Sequence, residues 1–203
     1  MRPDILKHLR KDKKLNPALT ADITHAPERA ENLALYLCIS IISQQLSTKV
    51  ARVIGDRFLA LYAGTEPSCE QILQTDTETL RSIGLSGAKA QYIQNVCAFF
   101  IEHNLSDEVL HRMNDEEVIV LLTQIKGVGR WTVEMLLMFA LGREDVFAAD
   151  DLGVQQSMIK AYDLKADSKK ELRDQLLAIS ENWRPYRSYA CMALWQWKDT
   201  KAN

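Results

Sequence analysis

Two glycines one residue apart, Gly127 and Gly129, interrupt a strongly apolar part of the chain. Because glycine reaches backbone angles that a Cβ forbids, and lets the main chain approach another molecule, the pair predicts a tight turn. Apolar residues recur at helical spacing on both sides of it. They are Val118, Leu121, Leu122 and Ile125 before the turn, and Trp131, Met135, Met138 and Phe139 after it. The pattern predicts a helix, a glycine turn and a second helix.

The predicted turn is a candidate anion site. A helix that begins directly after a glycine turn presents N–H groups with no partner inside the helix, and such a terminus binds phosphate. The candidate contacts to a nucleic-acid backbone are Lys126, Gly127, Val128, Gly129, Arg130 and Thr132. Contacts of this kind position a protein on a duplex without reading its bases. The alternative is a plain helix–helix connection.

Two aspartates, Asp150 and Asp151, follow the second helix and precede an amphipathic run at 152–162. One interpretation is that an aspartate here caps the following helix or complements its dipole. The other is that one of them faces the molecule bound at the turn. A carboxylate is favoured in its charged form near a helix N-terminus, and it can activate water or stabilise a sugar cation.

Composition narrows the class of protein. The chain has 203 residues, of which 47% are apolar, and a formal net charge of −2, so affinity for DNA must come from local basic patches. Alternation typical of strands is absent, which predicts an all-α fold. The four cysteines are widely spaced and predict reduced thiols and no zinc site. None of the four histidines, His25 included, lies in a catalytic pattern, and Lys89 is expected to be solvated, with a phosphate contact as the alternative.

Three motifs carry a resemblance to a known family. They are LLTQIKGVGRWTVEMLLMFALGREDVFAADDLGV, IISQQLSTKVA at 41–51, and WRPYRSYACMALWQW at 183–197. In this order they resemble the helix-hairpin-helix DNA glycosylase superfamily, and within it the alkylpurine branch, the 3-methyladenine DNA glycosylase II type. The resemblance is to the compact form without an N-terminal β domain.

The resemblance implies an all-α fold of two helical lobes, with the helix-hairpin-helix and a catalytic aspartate at the cleft between them. Residues 1–203 are expected to form one glycosylase domain. One lobe is expected to comprise roughly 30–140, and the other roughly 1–29 and 141–203.

The resemblance also implies a function, base-excision repair in which an alkylated purine such as 3-methyladenine is flipped out of duplex DNA and its N-glycosidic bond hydrolysed. Asp151 matches the catalytic position, and Asp150 is the runner-up, better suited to a structural or capping role. The bifunctional members have a lysine where this chain has Trp131, so we expect a monofunctional enzyme without lyase activity. The alternatives are a non-catalytic helix-hairpin-helix DNA-binding module and a helical protein-interaction domain.

Further site residues follow from the same resemblance. The base-binding residues are expected to be Trp131, Met135, Trp195 and Tyr189, and the minor-groove wedge Gln45, Leu46 and Ser47. Main-chain carbonyls of Thr123, Ile125 and Val128 match a site for Na⁺ or K⁺. We expect no iron–sulfur cluster, no membrane association, a monomer, double-stranded DNA as partner, and a location at the bacterial nucleoid in the cytoplasm or in a eukaryotic nucleus.

Overall fold

The computed structural model describes residues 1–19 and 29–200, the last two of these as backbone only. His25 lies outside the described residues. Twelve α-helices occur in the described part of the chain, with two short 3₁₀ turns and one isolated bridge between Arg29 and Leu141. The prediction of an all-α fold is confirmed. No helix in the described ranges combines the length and the apolar character that crossing a membrane requires.

The helices are, in chain order, α1 Pro3–Leu9, α2 Leu33–Ser43, α3 Thr48–Ala60, α4 Cys69–Gln74, α5 Thr77–Ser82, α6 Gly87–Glu102, α7 Asp107–Arg112, α8 Asp115–Leu122, α9 Arg130–Phe139, α10 Leu152–Tyr162, α11 Lys169–Ser180 and α12 Arg187–Thr200. The chain forms two compact units. We call Ala30–Leu136 the hairpin unit, and Met1–Arg29 with Leu137–Asn203 the aspartate unit.

Helix α2 is the centre of the hairpin unit and packs against α3 and α6. It is apolar on nearly all sides, and Leu33 and Leu37 are completely buried. The helix begins at Leu33, because Asn32 adopts a left-handed conformation with φ of 63° and caps it. The carboxylate of Asp107 accepts the N–H groups of Asn32 at 2.7 Å and of Leu33 at 3.1 Å, which fixes this start.

The aspartate unit is built around α12, which packs against α10 and both 3₁₀ turns. Trp183 is completely buried beside it. Asp12 accepts hydrogen bonds from the Trp183 indole N–H at 3.0 Å and from the Tyr162 hydroxyl at 2.5 Å. These bonds attach the segment after α1 to the core of this unit.

The four cysteines are free thiols. Cys38 and Cys97 lie in the core of the hairpin unit with their sulfur atoms 4.0 Å apart, and Cys191 is buried in the aspartate unit. Among the described residues, no group of three or more His, Cys, Asp or Glu side chains is placed to hold a metal ion.

Candidate active site

The structure requires glycine at position 127 of the turn but not at position 129. Gly127 has a φ of +107°, and a Cβ there would lie 2.3 Å from Cγ of Tyr92, so the fold itself requires glycine. Gly129 is exposed, and a Cβ there would meet nothing within 4 Å. Its φ also lies outside the left-handed region. The protein's own packing therefore does not require glycine at position 129, and close approach of another molecule there stays a prediction.

The two cations of the turn differ in their surroundings. Lys126 is exposed, and its carbonyl accepts a hydrogen bond from the Asn95 amide at 3.1 Å. Arg130 is engaged by carboxylates, because its Nε lies 3.0 Å from Glu134 and its Nη2 lies 3.3 Å from Glu116. A phosphate at Arg130 would have to share the guanidinium with these groups.

Val128 and Thr132 are buried, with side chains that point into the hairpin unit. The Thr132 hydroxyl accepts a hydrogen bond from the side-chain amide of Gln44 at 3.4 Å. Any contact that these two residues make with a phosphate must therefore pass through their main-chain N–H groups. The bond to Gln44 also ties the first turn of α9 to the turn that follows α2.

That second turn is the predicted wedge. Gln45 is exposed and holds a left-handed conformation, with φ of 60°. Leu46 is half-buried, and the Ser47 hydroxyl accepts the Val50 N–H at 3.4 Å as the N-cap of α3. Ser47 thus has an ordinary capping role. Of the three predicted wedge residues, Gln45 is the one that combines an exposed side chain with a left-handed backbone conformation.

The expectation of a solvated Lys89 is wrong, because its ammonium group is bound within the protein, whereas the alternative of a contact with a phosphate stays a prediction. Its Nζ donates to the carbonyl oxygens of Ile42 at 2.8 Å and Gln44 at 2.6 Å. Burial lowers the pKa of Lys89. Sequence spacing could not show this contact, because it joins α6 to the end of α2 across 45 residues of chain.

Two predicted base-binding residues lie on α9. Trp131 is 41% exposed, unusually high for its size, and Met135 follows one turn later and is half-buried. A large aromatic side chain in this position is not explained by core packing. Its exposed surface is available to another molecule.

Asp151 is the N-cap residue of α10. Its Oδ1 accepts two hydrogen bonds, from the Val154 N–H at 2.8 Å and from the indole N–H of Trp195 at 2.7 Å. The side chain is half-buried. Capping and a catalytic role do not compete here, because the cap fixes one oxygen and thereby the orientation of the whole carboxylate.

Trp195 contacts both Asp151 and the aromatic ring of Phe139. Its ring centroid lies 5.9 Å from that of Phe139, and the ring is half-buried. A Cβ at Gly153 would lie 2.9 Å from Cδ1 of Trp195 and 3.1 Å from Oδ1 of Asp151. The sequence analysis does not predict Phe139 or Gly153 as residues of the candidate site, since an apolar residue or a glycine within a helix does not by itself indicate a functional role.

Asp150 has a different role from its neighbour. It is exposed and forms an ion pair with Arg173 of α11. Of the two roles expected for Asp150, structural or capping, the ion pair agrees with the structural one, because the residue that caps α10 is Asp151.

Tyr189, the last predicted base-binding residue, is buried in the aspartate unit. Its hydroxyl donates to Glu144 at 2.8 Å, and its ring packs edge-on against Tyr186. Burial, together with the bond to Glu144, raises the pKa of Tyr189 to about 12. Its polar end is thus engaged within the protein, and a role in base binding stays a prediction.

Comparisons with known proteins agree with the resemblance seen in the three motifs. Residues 38–182 match the family model described as HhH-GPD superfamily base excision DNA repair protein. The chain is 37% identical over 159 residues to DNA-3-methyladenine glycosylase 1 of Schizosaccharomyces pombe, a match that covers 77% of this chain and 68% of that protein. It is 34% identical over 171 residues to the putative DNA-3-methyladenine glycosylase YfjP of Bacillus subtilis, covering 80% of this chain. The chain spans 58% of the length of that relative.

The fold is similar to that of a solved structure, the S. pombe 3-methyladenine DNA glycosylase in complex with abasic DNA. The TM-score is 0.80 at 32% sequence identity, and the match covers 95% of each chain.

Proposed function

We propose that this chain, which belongs to the HhH-GPD superfamily of base excision DNA repair proteins, is a DNA glycosylase that releases alkylated purines such as 3-methyladenine from duplex DNA. The names of its relatives support this activity. The observation that carries the proposal is the carboxylate of Asp151, which is half-buried, caps α10 and is oriented by Trp195. DNA as substrate places the protein at the nucleoid or in the nucleus.

In the proposed reaction the bond between the base nitrogen and the sugar C1′ breaks, and its electron pair leaves with the base. The negative charge of Asp151 stabilises the cation that develops on the sugar. Water then adds to C1′, and the carboxylate assists by accepting its proton. A cationic alkylated purine is already a good leaving group, so the mechanism requires little acid catalysis.

The base must leave the duplex to be reached, and aromatic faces favour a cationic base. We assign this contact to Trp131, Met135 and Trp195, whose side chains are exposed or half-buried. Because a tryptophan at position 131 offers no nucleophilic amine, the strand is expected to remain intact after base release.

The hairpin turn is the proposed grip on the DNA backbone. Gly129 leaves space for a phosphate, and the first N–H groups of α9 follow directly. Lys126 contributes its exposed charge. Gln45 is the proposed wedge that enters the minor groove, a contact that partly unstacks the duplex.

A monovalent cation at the hairpin is a further part of the proposal. Carbonyl oxygens are donors suited to hard cations. The Ile125 carbonyl already accepts the Val128 N–H at 3.0 Å, and its second lone pair could serve a cation. Together with the carbonyls of Thr123 and Val128 it would hold Na⁺ or K⁺ and link the turn to a phosphate. The absence of an iron–sulfur cluster stays a prediction, which rests on the wide spacing of the four cysteines in the sequence.

The test compares Asp151→Asn with the matched control Asp150→Asn in base release from methylated duplex DNA. Asparagine is also a good N-cap and retains an acceptor for Trp195, so the fold should survive. We expect Asp151→Asn to lower the single-turnover rate by roughly 100-fold or more, with binding to abasic-site DNA retained. Asp150→Asn should stay within about twofold, because it loses an exposed ion pair.

Activity unaffected by Asp151→Asn would remove the catalytic assignment. DNA binding without base release in the wild-type protein would favour the non-catalytic module. A panel of duplexes that carry cationic and neutral lesions would then define the substrate range.

A further inference from the structure

We infer that Lys89 is a positioning residue that holds the turn after α2 in the conformation from which Gln45 projects. This inference rests on the proposed function, in which Gln45 enters the duplex. It starts from the bonds that Lys89 donates to the carbonyls of Ile42 and Gln44.

The place of Lys89 is unusual for its own helix. It is the third residue of α6, whose N-cap is Ser86. A cation in the first turn opposes the helix dipole, so this position does not favour lysine. The end of α2 supplies the compensation, because the C-terminal end of a helix carries partial negative charge and carbonyls without helical partners.

Lys89 supplies the hydrogen-bond donor for one of the last four carbonyls of α2. The last four residues of α2 are Ser40 to Ser43. The N–H of Gln44 donates to Ser40 and Ile41, and the N–H of Leu46 donates to Ser43. Ile42 is completely buried, and its carbonyl receives its bond from Lys89. The same ammonium also holds the carbonyl of Gln44, directly before the left-handed residue.

That left-handed residue needs support. A φ of 60° is uncommon for a side chain other than glycine, asparagine or aspartate, and it persists only where its surroundings enforce it. Gln44, the residue directly before Gln45, is held at two points, because its carbonyl accepts from Lys89 and its side-chain amide donates to Thr132. Lys89 thus prepares an exposed glutamine at a fixed place relative to the hairpin.

The first measurement uses the free protein and no DNA. Lys89→Met keeps the length of the side chain but removes all three donors, whereas Lys89→Arg keeps charge and donors. Lys170→Met is the control for charge loss, since Lys170 is exposed on α11. We expect Lys89→Met to raise amide exchange at Gln44 and Leu46 by roughly tenfold or more, because their bonds belong to the released turn. Lys89→Arg should restore part of the protection.

The second measurement uses DNA. We expect Lys89→Met to slow single-turnover base release by roughly tenfold, with the dependence of duplex affinity on salt unchanged. A salt slope that falls by about 0.9 would identify Lys89 as a phosphate contact and overturn the inference. If Lys89→Met does not fold, Lys89→Gln, which keeps a neutral donor, takes its place.

The two proposals can fail separately. Unchanged exchange at Gln44 and Leu46 in the Lys89 variant overturns the positioning role, whatever the activity of the wild-type protein. Raised exchange combined with a wild-type protein that releases no base removes the proposed function, while the hold of Lys89 on the turn stands.

Discussion

Gly153→Ala is the smallest change that should disturb the carboxylate of Asp151 without touching it. The added Cβ would lie 2.9 Å from Cδ1 of Trp195 and 3.1 Å from Oδ1 of Asp151. The first distance is roughly 0.6 Å short of an optimal contact of about 3.5 Å. The indole, the carboxylate or both must therefore shift, which disturbs the hydrogen bond that joins them.

The magnitude follows from the bond that is lost. The Trp195 N–H now lies 2.7 Å from Oδ1, and a shift of this size takes it beyond the normal range of about 3.2 Å. A bond to a charged group contributes about 1.5–3 kcal/mol. Alanine is favoured over glycine in a helix by up to about 1 kcal/mol, which offsets part of the cost to folding. We expect a melting temperature lowered by no more than about 8 °C, and base release slowed by roughly 10- to 100-fold.

The assay is single-turnover base release, measured beside affinity for abasic-site DNA. Gly55→Ala is the matched control, because a Cβ there meets nothing within 4 Å. Trp195→Phe removes the donor but retains a ring beside Phe139, and it should slow base release by a similar factor, because the carboxylate loses the bond that orients it. A rate within about twofold of wild type for Gly153→Ala or for Trp195→Phe would refute the reasoning.

Three further predictions concern the rest of the molecule. Gly127→Ala should destabilise the protein by roughly 2–4 kcal/mol in denaturant unfolding, because the new side chain would combine a positive φ with a clash on Tyr92. Gly129→Ala should leave the stability unchanged but lower the affinity for duplex DNA. Equal stability of the two variants would contradict this prediction. Asp12→Ala should cost about 2–4 kcal/mol, because it leaves the N–H of the buried Trp183 unpaired, and an unaltered melting temperature would show that the bond contributes little. Replacing Na⁺ and K⁺ by a bulky organic cation at constant ionic strength should weaken binding to abasic-site DNA several-fold if the hairpin holds a cation, and equal affinity in both salts would remove that site.

Periodicity and glycine placement were sufficient to predict the helices. The run 152–162 was predicted with the bounds that α10 has in the structure, since local spacing and an aspartate cap define such a helix. The start of α2 is not set by periodicity, because Asn32, which caps the helix, is fixed by Asp107, a partner 75 residues away along the chain. Contacts of that length leave no periodic trace.

For the candidate site, too, some features follow from the sequence and others only from the tertiary structure. The sequence by itself singled out the glycine turn and the adjacent aspartates, because unusual residue types at short spacing are visible in a linear chain, and the family resemblance added Trp131 and Trp195. Only the tertiary structure decided which aspartate caps α10, that Trp195 donates to it, that Gly153 makes room for that bond, and that Lys89 holds a turn instead of meeting solvent. The physical reason is that hydrogen bonds and close contacts depend on distances between side chains, and folding brings together residues whose separation along the chain carries no information about those distances.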